Sequence, residues 1–268
     1  MSPHEHQRFA GMTAVVTGAG SGIGAEVSRL LVAEGATVVG CDINEDAVSR
    51  TQSELGARFT GAVCDVTQEA DVESLIAQAL DRTGRLDVAF NVAGGGRVGT
   101  VAEIASSDWD FTIDLVLRGA FLCTKYEARA MTSTGGAIVN VSSLNAHVPM
   151  YGGAAYSVGK AGVEMLTRNA ALELARHGIR VNAVLPGLVR TPLTTPMLDV
   201  PEILTAYEER ISMRRPATTT EIAGPCLYLA SAGASYITGA SLVVDGGWEI
   251  TAYPDMSRFD AMEVRASE

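Results

Sequence analysis

The sequence predicts an α/β protein, a single domain built on a doubly wound parallel sheet. Short runs rich in β-branched residues alternate with longer helical patterns along most of the chain. The short runs lack polar/apolar alternation, the mark of strands covered on both faces. Right-handed crossovers through the intervening helices then return each strand parallel to the last.

Taken in order, the strands are expected at Met12–Thr17, Thr37–Cys41, Arg58–Val63, Leu86–Phe90, Ala137–Val141, Arg180–Val184 and Ser241–Val244. Between them the spacing predicts helices over Ile23–Glu34, Glu45–Leu55, Glu69–Thr83, Trp109–Met131, Tyr156–His177 and Glu221–Ala230. Gly35, Gly56, Gly84 and Gly178 follow four of these helices, where a C-terminal stop belongs. Residues 188–216 interrupt the rhythm with Pro and Thr and read as a lid, inserted in a domain that spans 1–250. Residues 251–268 form a polar tail.

Composition narrows the function. A hydrophobic content of 47% with 19% charged residues belongs to a globular chain. The formal net charge of −11 disfavours a nucleic acid partner, which wants a basic face. No run approaches the roughly 20 apolar residues of a membrane span, and the first residues carry no secretory pattern, so a cytoplasmic location is expected. Cys41, Cys64, Cys123 and Cys226 show no metal-ligand spacing, so neither zinc nor a disulfide framework is expected.

The first strand runs into Thr17-Gly-Ala-Gly-Ser-Gly-Ile-Gly24 and then a helix. Glycines in that context let backbone N–H groups approach a pyrophosphate at the helix N-terminus, the arrangement of a Rossmann dinucleotide site. The second strand ends at Asp42, whose carboxylate suits ribose hydroxyls and repels a 2′-phosphate, and no Arg or Lys lies beside it; NAD is favoured over NADP. Asp42 has a second reading as a helix N-cap, a role Asn44 fills equally well. Asp65, with Val66 after it, ends the third strand, placed for an adenine contact or for capping the next helix.

The fifth strand ends in Ser142-Ser143, and Tyr156-Ser-Val-Gly-Lys160 follows. Tyr and Lys four apart share a helix face. A cation ~4 Å from the phenol at an effective dielectric of ~20 is worth about 4 kcal/mol, or roughly three pKa units, which brings a phenol toward the range of a general base. Ser143 would stabilise charge on a substrate oxygen.

With these pieces the sequence resembles the short-chain dehydrogenase/reductase family over nearly its whole length. The matching stretches are Thr17–Gly24, Asp65, Asn91–Gly94, Asn140–Ser143, Tyr156–Lys160, Asn182, Pro186–Thr191 and Ile237–Gly247. The resemblance implies strand order 3-2-1-4-5-6-7 and commonly a homotetramer built on the two long helices and the last strand. It implies that Gly18, Ser21, Gly22, Ile23 and Gly24 surround the pyrophosphate. Asn91, Ala93 and Gly94 would lie near the adenosine ribose, Lys160 and Tyr156 at the nicotinamide ribose, and Pro186, Gly187, Val189 and Thr191 at the carboxamide. It makes Ser143, Tyr156 and Lys160 the catalytic group, with Ser143 preferred to Ser142 because it lies thirteen residues before Tyr156. One position departs from the family: Val116 stands where an asparagine usually completes a proton relay.

The substrate pocket is expected over the nicotinamide, walled by Gly95, Leu144, Asn145, Met150, Tyr151 and Met197. Mostly apolar walls suit a secondary alcohol or ketone on a hydrophobic, alicyclic or steroid-like skeleton. Two other functions stand beside this one: a 3-oxoacyl-thioester reductase and a dinucleotide-binding subunit without turnover.

Overall fold

The computed structural model describes residues 7–251. The predicted tail lies outside the described residues except for Thr251. Seven parallel strands form one sheet in the order β3-β2-β1-β4-β5-β6-β7. They are β1 (Thr13–Thr17), β2 (Thr37–Asp42), β3 (Phe59–Val63), β4 (Val88–Asn91), β5 (Gly136–Val141), β6 (Ile179–Pro186) and β7 (Ser241–Val244). The order reverses between β1 and β4, which opens a crevice at their carboxyl ends.

The strands show why alternation was missing from the sequence. Ala14 and Val16 pack into one core cluster and Val15 into the other, all three fully buried. Both faces of the sheet are apolar because both are covered. Helices α1 (Gly22–Ala33), α2 (Glu45–Leu55) and α9 (Thr219–Ala230) lie on the first face, through Val27, Leu31, Val48, Ile222 and Cys226. Helices α3 (Glu69–Thr83), α5 (Gly119–Met131) and α6 (Ala154–Leu174) lie on the second, through Val72, Leu75, Leu122 and Ala170. The terminal stops appear as expected, with Gly84 at φ 79° and Gly178 at φ 69°.

One expected helix differs. The stretch read as Trp109–Met131 begins earlier, as α4 (Ser106–Ile113), and is divided from α5 by a π turn at Asp114–Arg118. There the amide of Gly119 reaches the carbonyl of Asp114, five residues back. Periodicity sees one helix because the axis continues through the turn.

The 188–216 segment holds two short helices, α7 (Thr195–Leu198) and α8 (Pro201–Glu208). Leu198, Tyr207 and Ile211 are buried with Leu144, Leu188 and Trp248 in a third, smaller apolar cluster. This cluster packs the segment over the carboxyl end of the sheet.

Candidate active site

The crevice beside β1 holds a cleft of ≈ 550 Å³ lined by Gly18, Ser21, Gly22, Ile23, Gly24, Asp42, Asp65, Val66, Ala93, Gly94 and Thr191. A Cβ on Gly24 would stand 2.2 Å from the carbonyl oxygen of Gly18, so only glycine allows the loop to close against the helix. Ser21 occupies the N-cap position of α1 with no side-chain cap bond, which leaves the first-turn amides for an anion. The residues therefore fit a dinucleotide pyrophosphate. Thr17 fixes the opposite wall: its Oγ1 accepts from the amides of Val92 at 3.0 Å and Ala93 at 3.1 Å.

Asn44, not Asp42, caps α2, accepting from the amide of Ala47 at 3.0 Å. Asp42 instead receives the amides of Gly20 at 3.1 Å and Asn44 at 3.0 Å, which aims its carboxylate along the cleft wall. Asp65 holds a local turn, accepting from both the amide and the hydroxyl of Thr67. Asn91 lies beneath the cleft instead of in its wall: it is buried and donates to Glu127 at 3.0 Å and to Asn140 at 2.9 Å.

Ser143, Tyr156 and Lys160 meet in an adjoining pocket of ≈ 330 Å³. The Ser143 hydroxyl accepts from the amide of Asn145 at 3.1 Å and donates to Asn145 Oδ1 at 3.3 Å, and it lies near enough to the Tyr156 phenol to lower it. Ser142 is occupied elsewhere, donating to the carbonyl of Lys160 at 2.8 Å, so it ties β5 to α6 and does not face a substrate. The Lys160 ammonium donates to the carbonyl of Val141 at 2.7 Å and sits 5.6 Å from the centroid of the Tyr156 ring.

The electrostatics depart from expectation. Burial pushes the Tyr156 phenol above its usual value, and the Ser143 hydrogen bond only partly offsets this. Lys160 does not supply the expected lowering, because its ammonium lies over the ring and is held by Val141. Burial in turn pulls Lys160 down to about 8. Both groups are thus biased toward their neutral forms.

Val116 lies in the π turn, 2% exposed, packed so closely on α6 that a Cβ on Gly159 would meet its Cγ1 at 3.0 Å. It also borders a small cavity of ≈ 10 Å³ shared with Asn91, Val141 and Lys160. Nearby, the fully buried carboxyl of Glu127 is raised by burial to about 8.

Of the expected substrate walls, Gly95, Leu144, Asn145, Met150 and Met197 line the pocket together with Pro186, Gly187 and Val189. Tyr151 does not; it is 43% exposed, turned away at a loop bend. Leu198, next to Met197 in the insertion, is buried in the third apolar cluster. His147 stands outside as well, between Glu249 at 2.5 Å and Glu164 at 2.8 Å. Sequence reasoning missed Tyr207 and Trp248, which meet edge to face with centroids 5.3 Å apart and close the far wall. The signal available was one aromatic residue in the insertion and one after the final Gly-Gly, too little to pair them.

Comparison with known proteins agrees with this geometry. A family model described as enoyl-(acyl carrier protein) reductase matches residues 18–249. A 2,5-dichloro-2,5-cyclohexadiene-1,4-diol dehydrogenase of Sphingobium indicum is 40% identical over 246 residues, 90% of this chain and 98% of that protein. A cis-4-hydroxycyclohexanecarboxylate dehydrogenase of Sinomonas cyclohexanicum is 42% identical over 247 residues, again 90% and 98% of the two chains. A solved short-chain type dehydrogenase/reductase from Mycobacterium ulcerans superposes with a TM-score of 0.92 at 32% identity, covering 95% of each chain. With this fold, this nucleotide cleft and these relatives, the chain belongs to the short-chain dehydrogenase/reductase family.

Proposed function

We propose that this protein oxidises a secondary alcohol on an alicyclic ring, or reduces the matching ketone, with NAD(H). The observation that carries the proposal is the meeting of Ser143, Tyr156 and Lys160 in a largely apolar pocket open to the nucleotide cleft. The cyclic alcohols named for the two curated relatives support the ring.

In this reading the substrate oxygen lies between the Ser143 and Tyr156 hydroxyls, which line one pocket. The dinucleotide, when bound, accepts or supplies the hydride. Tyr156 takes the alcohol proton during oxidation and returns it during reduction. Ser143 hydrogen-bonds the oxygen as charge develops there. Lys160, charged below about 8, would hold the nicotinamide ribose and favour the ionised phenol from its place beside Tyr156. Asp42 accepts the ribose hydroxyls of NAD and opposes the phosphate of NADP. The insertion over 188–216 serves as the lid, its inner face supplied by Met197 and Tyr207. Self-association is supported by exposed Val158, Met165 and Leu172, seven residues apart along α6, and by exposed Phe121 on α5.

A panel of cyclohexanols and cyclohexanediols, offered with NAD⁺ and NADP⁺ and read by formation of the reduced nicotinamide, tests the proposal. Turnover of ring alcohols with NAD⁺ is expected. No turnover of any ring alcohol overturns the substrate class, and a preference for NADP⁺ overturns the role of Asp42.

A further inference from the structure

Gly94, Gly95 and Gly96 bring a bare stretch of backbone against the catalytic side chains. A Cβ on Gly94 would stand 3.3 Å from Lys160 Nζ, and one on Gly96 3.6 Å from the Tyr156 ring and 2.8 Å from Thr112. The first side chain to project from this run is Arg97, and it lines the pocket.

The guanidinium of Arg97, 58% exposed, lies against one carboxylate and one aromatic ring. Its backbone amide donates to Thr112 Oγ1 at 3.0 Å, its Nε lies 3.3 Å from Asp108, and its planar head sits 4.9 Å from the centroid of Phe111. Among the described residues these contacts engage Nε and the flat face and leave the two terminal nitrogens without a protein partner. A fork steadied by a ring and an ion pair at Nε, with its outer N–H groups outward, is the geometry that takes a carboxylate through two parallel hydrogen bonds.

The charge around it points the same way. The pocket lining contains two charged residues, Arg97 and Lys160, both cationic, and no Asp or Glu among the described residues. This contrasts with a chain of formal net charge −11. The walls include Val98, Met150, Met197, Tyr207 and Trp248, with Asn145 among the neutral polar groups. An apolar body with one anionic end matches that surface.

We infer that the pocket takes a secondary alcohol bearing a carboxylate, with the alcohol at Ser143 and Tyr156, the ring against the apolar walls and the carboxylate on Arg97. The inference rests on the ring-alcohol function proposed above and makes Arg97 its specificity-determining residue.

The test compares 4-hydroxycyclohexanecarboxylate with its methyl ester, which keeps the ring and alcohol and removes the charge. Both are offered with NAD⁺ to the wild type, Arg97→Ala and Arg97→Lys. The ratio of kcat/KM for acid over ester should exceed one in the wild type, fall at least tenfold in Arg97→Ala, and recover in part in Arg97→Lys, with the change carried in KM. NADH titration checks that each variant is folded. Should Arg97→Ala fail to fold, inhibition of the wild type decides: cyclohexanecarboxylate must compete at lower concentration than cyclohexanecarboxamide. An ester oxidised as well as the acid, or a ratio indifferent to Arg97, overturns the carboxylate site and leaves the ring-alcohol function standing. Failure to oxidise either compound overturns the carboxylate site, and the ring-alcohol function falls with it only if the uncharged cyclohexanols of the panel are not turned over either.

Discussion

Asn91 donates to Glu127 at 3.0 Å in a site where neither side chain has solvent to turn to. The other oxygens of the pair, Asn91 Oδ1 and Glu127 Oε1, are both buried without a donor. Asn91 gives its second N–H to Asn140, which passes its own to Thr167. A protonated Glu127 carries the missing donor of this network, and burial, which raises the group to about 8, keeps that proton in place at neutral pH.

Glu127 therefore sets a slope of stability against pH. The unfolded chain ionises this carboxyl near pH 4.3 while the folded chain keeps its proton up to about 8. The folded state then binds more protons through that window, so the contribution is complete below pH ~4 and is lost as pH rises to about 8. Glu127→Gln supplies a permanent N–H donor in nearly the same shape. It is expected to be more stable than the wild type by a few kcal/mol at pH 8 and by little at pH 4, as read from urea midpoints. A gap independent of pH would mean that the buried carboxyl is ionised.

Tyr156 governs the pH dependence of the rate. Burial raises its phenol, and oxidation needs the ionised form as base, so kcat/KM for the alcohol is expected to climb on the alkaline side of neutrality. Reduction needs the protonated form and should hold its rate through pH 7. Tyr156→Phe should lose on the order of 10²-fold or more in kcat while keeping NADH affinity. An oxidation profile already flat below pH 7 would show that the phenol is far more acidic than its burial implies.

Asp42 predicts a change in cofactor choice. Its carboxylate is placed by the amides of Gly20 and Asn44, so Asp42→Ala removes a charge without removing the cap of α2, which belongs to Asn44. The ratio of NADH to NADPH affinity, measured by fluorescence titration, is expected to fall at least tenfold, which is about 1.4 kcal/mol. Equal loss for both nucleotides would assign Asp42 to loop structure alone.

His147 predicts a second dependence of stability on pH, with the same sign, at the rim. Burial of the ring lowers its pKa, but the hydrogen bonds and charges of Glu249 and Glu164 outweigh this and the net shift is upward. Arg168, paired with Glu164, shares the same cluster. A raised histidine contributes stability that is present below its unfolded value near 6.5 and fades as pH rises through the higher folded value. His147→Gln should flatten the fall in Tm between pH 6 and pH 9. An unchanged slope would remove His147 from the link between β5, α6 and Glu249.

Much of this protein was legible beforehand because backbone geometry and hydrophobic burial act locally. The parallel sheet followed from uniform apolar runs and its strand order from the family resemblance, and Ser143 was preferred to Ser142 by its interval to Tyr156; the Ser142 hydroxyl is taken up by the carbonyl of Lys160. What escaped depends on contacts between distant positions. Glu127, between Tyr126 and Ala128, looks like a solvated helix residue until Asn91 is seen opposite it. Tyr207 and Trp248 are forty-one positions apart and meet only because α8 folds over the last strand. The upward shift of Tyr156 was missed because spacing reports where Lys160 lies and not where its ammonium points.

The π turn at Asp114–Arg118 has a consequence for how this helix can change over generations. Each residue of an α-helix advances its neighbours by about 100° around the axis, so the five-residue reach from Asp114 to Gly119 offsets everything downstream from everything upstream. Upstream, Phe111 lines the nucleotide cleft; downstream, Leu122 and Glu127 face the core. Losing one residue from the turn would restore a regular helix and rotate Glu127 relative to Phe111, taking one of them out of its present contacts. The irregular turn decouples the two halves: substitutions retune the wall of the site, and a deletion breaks the alignment between that wall and the interior.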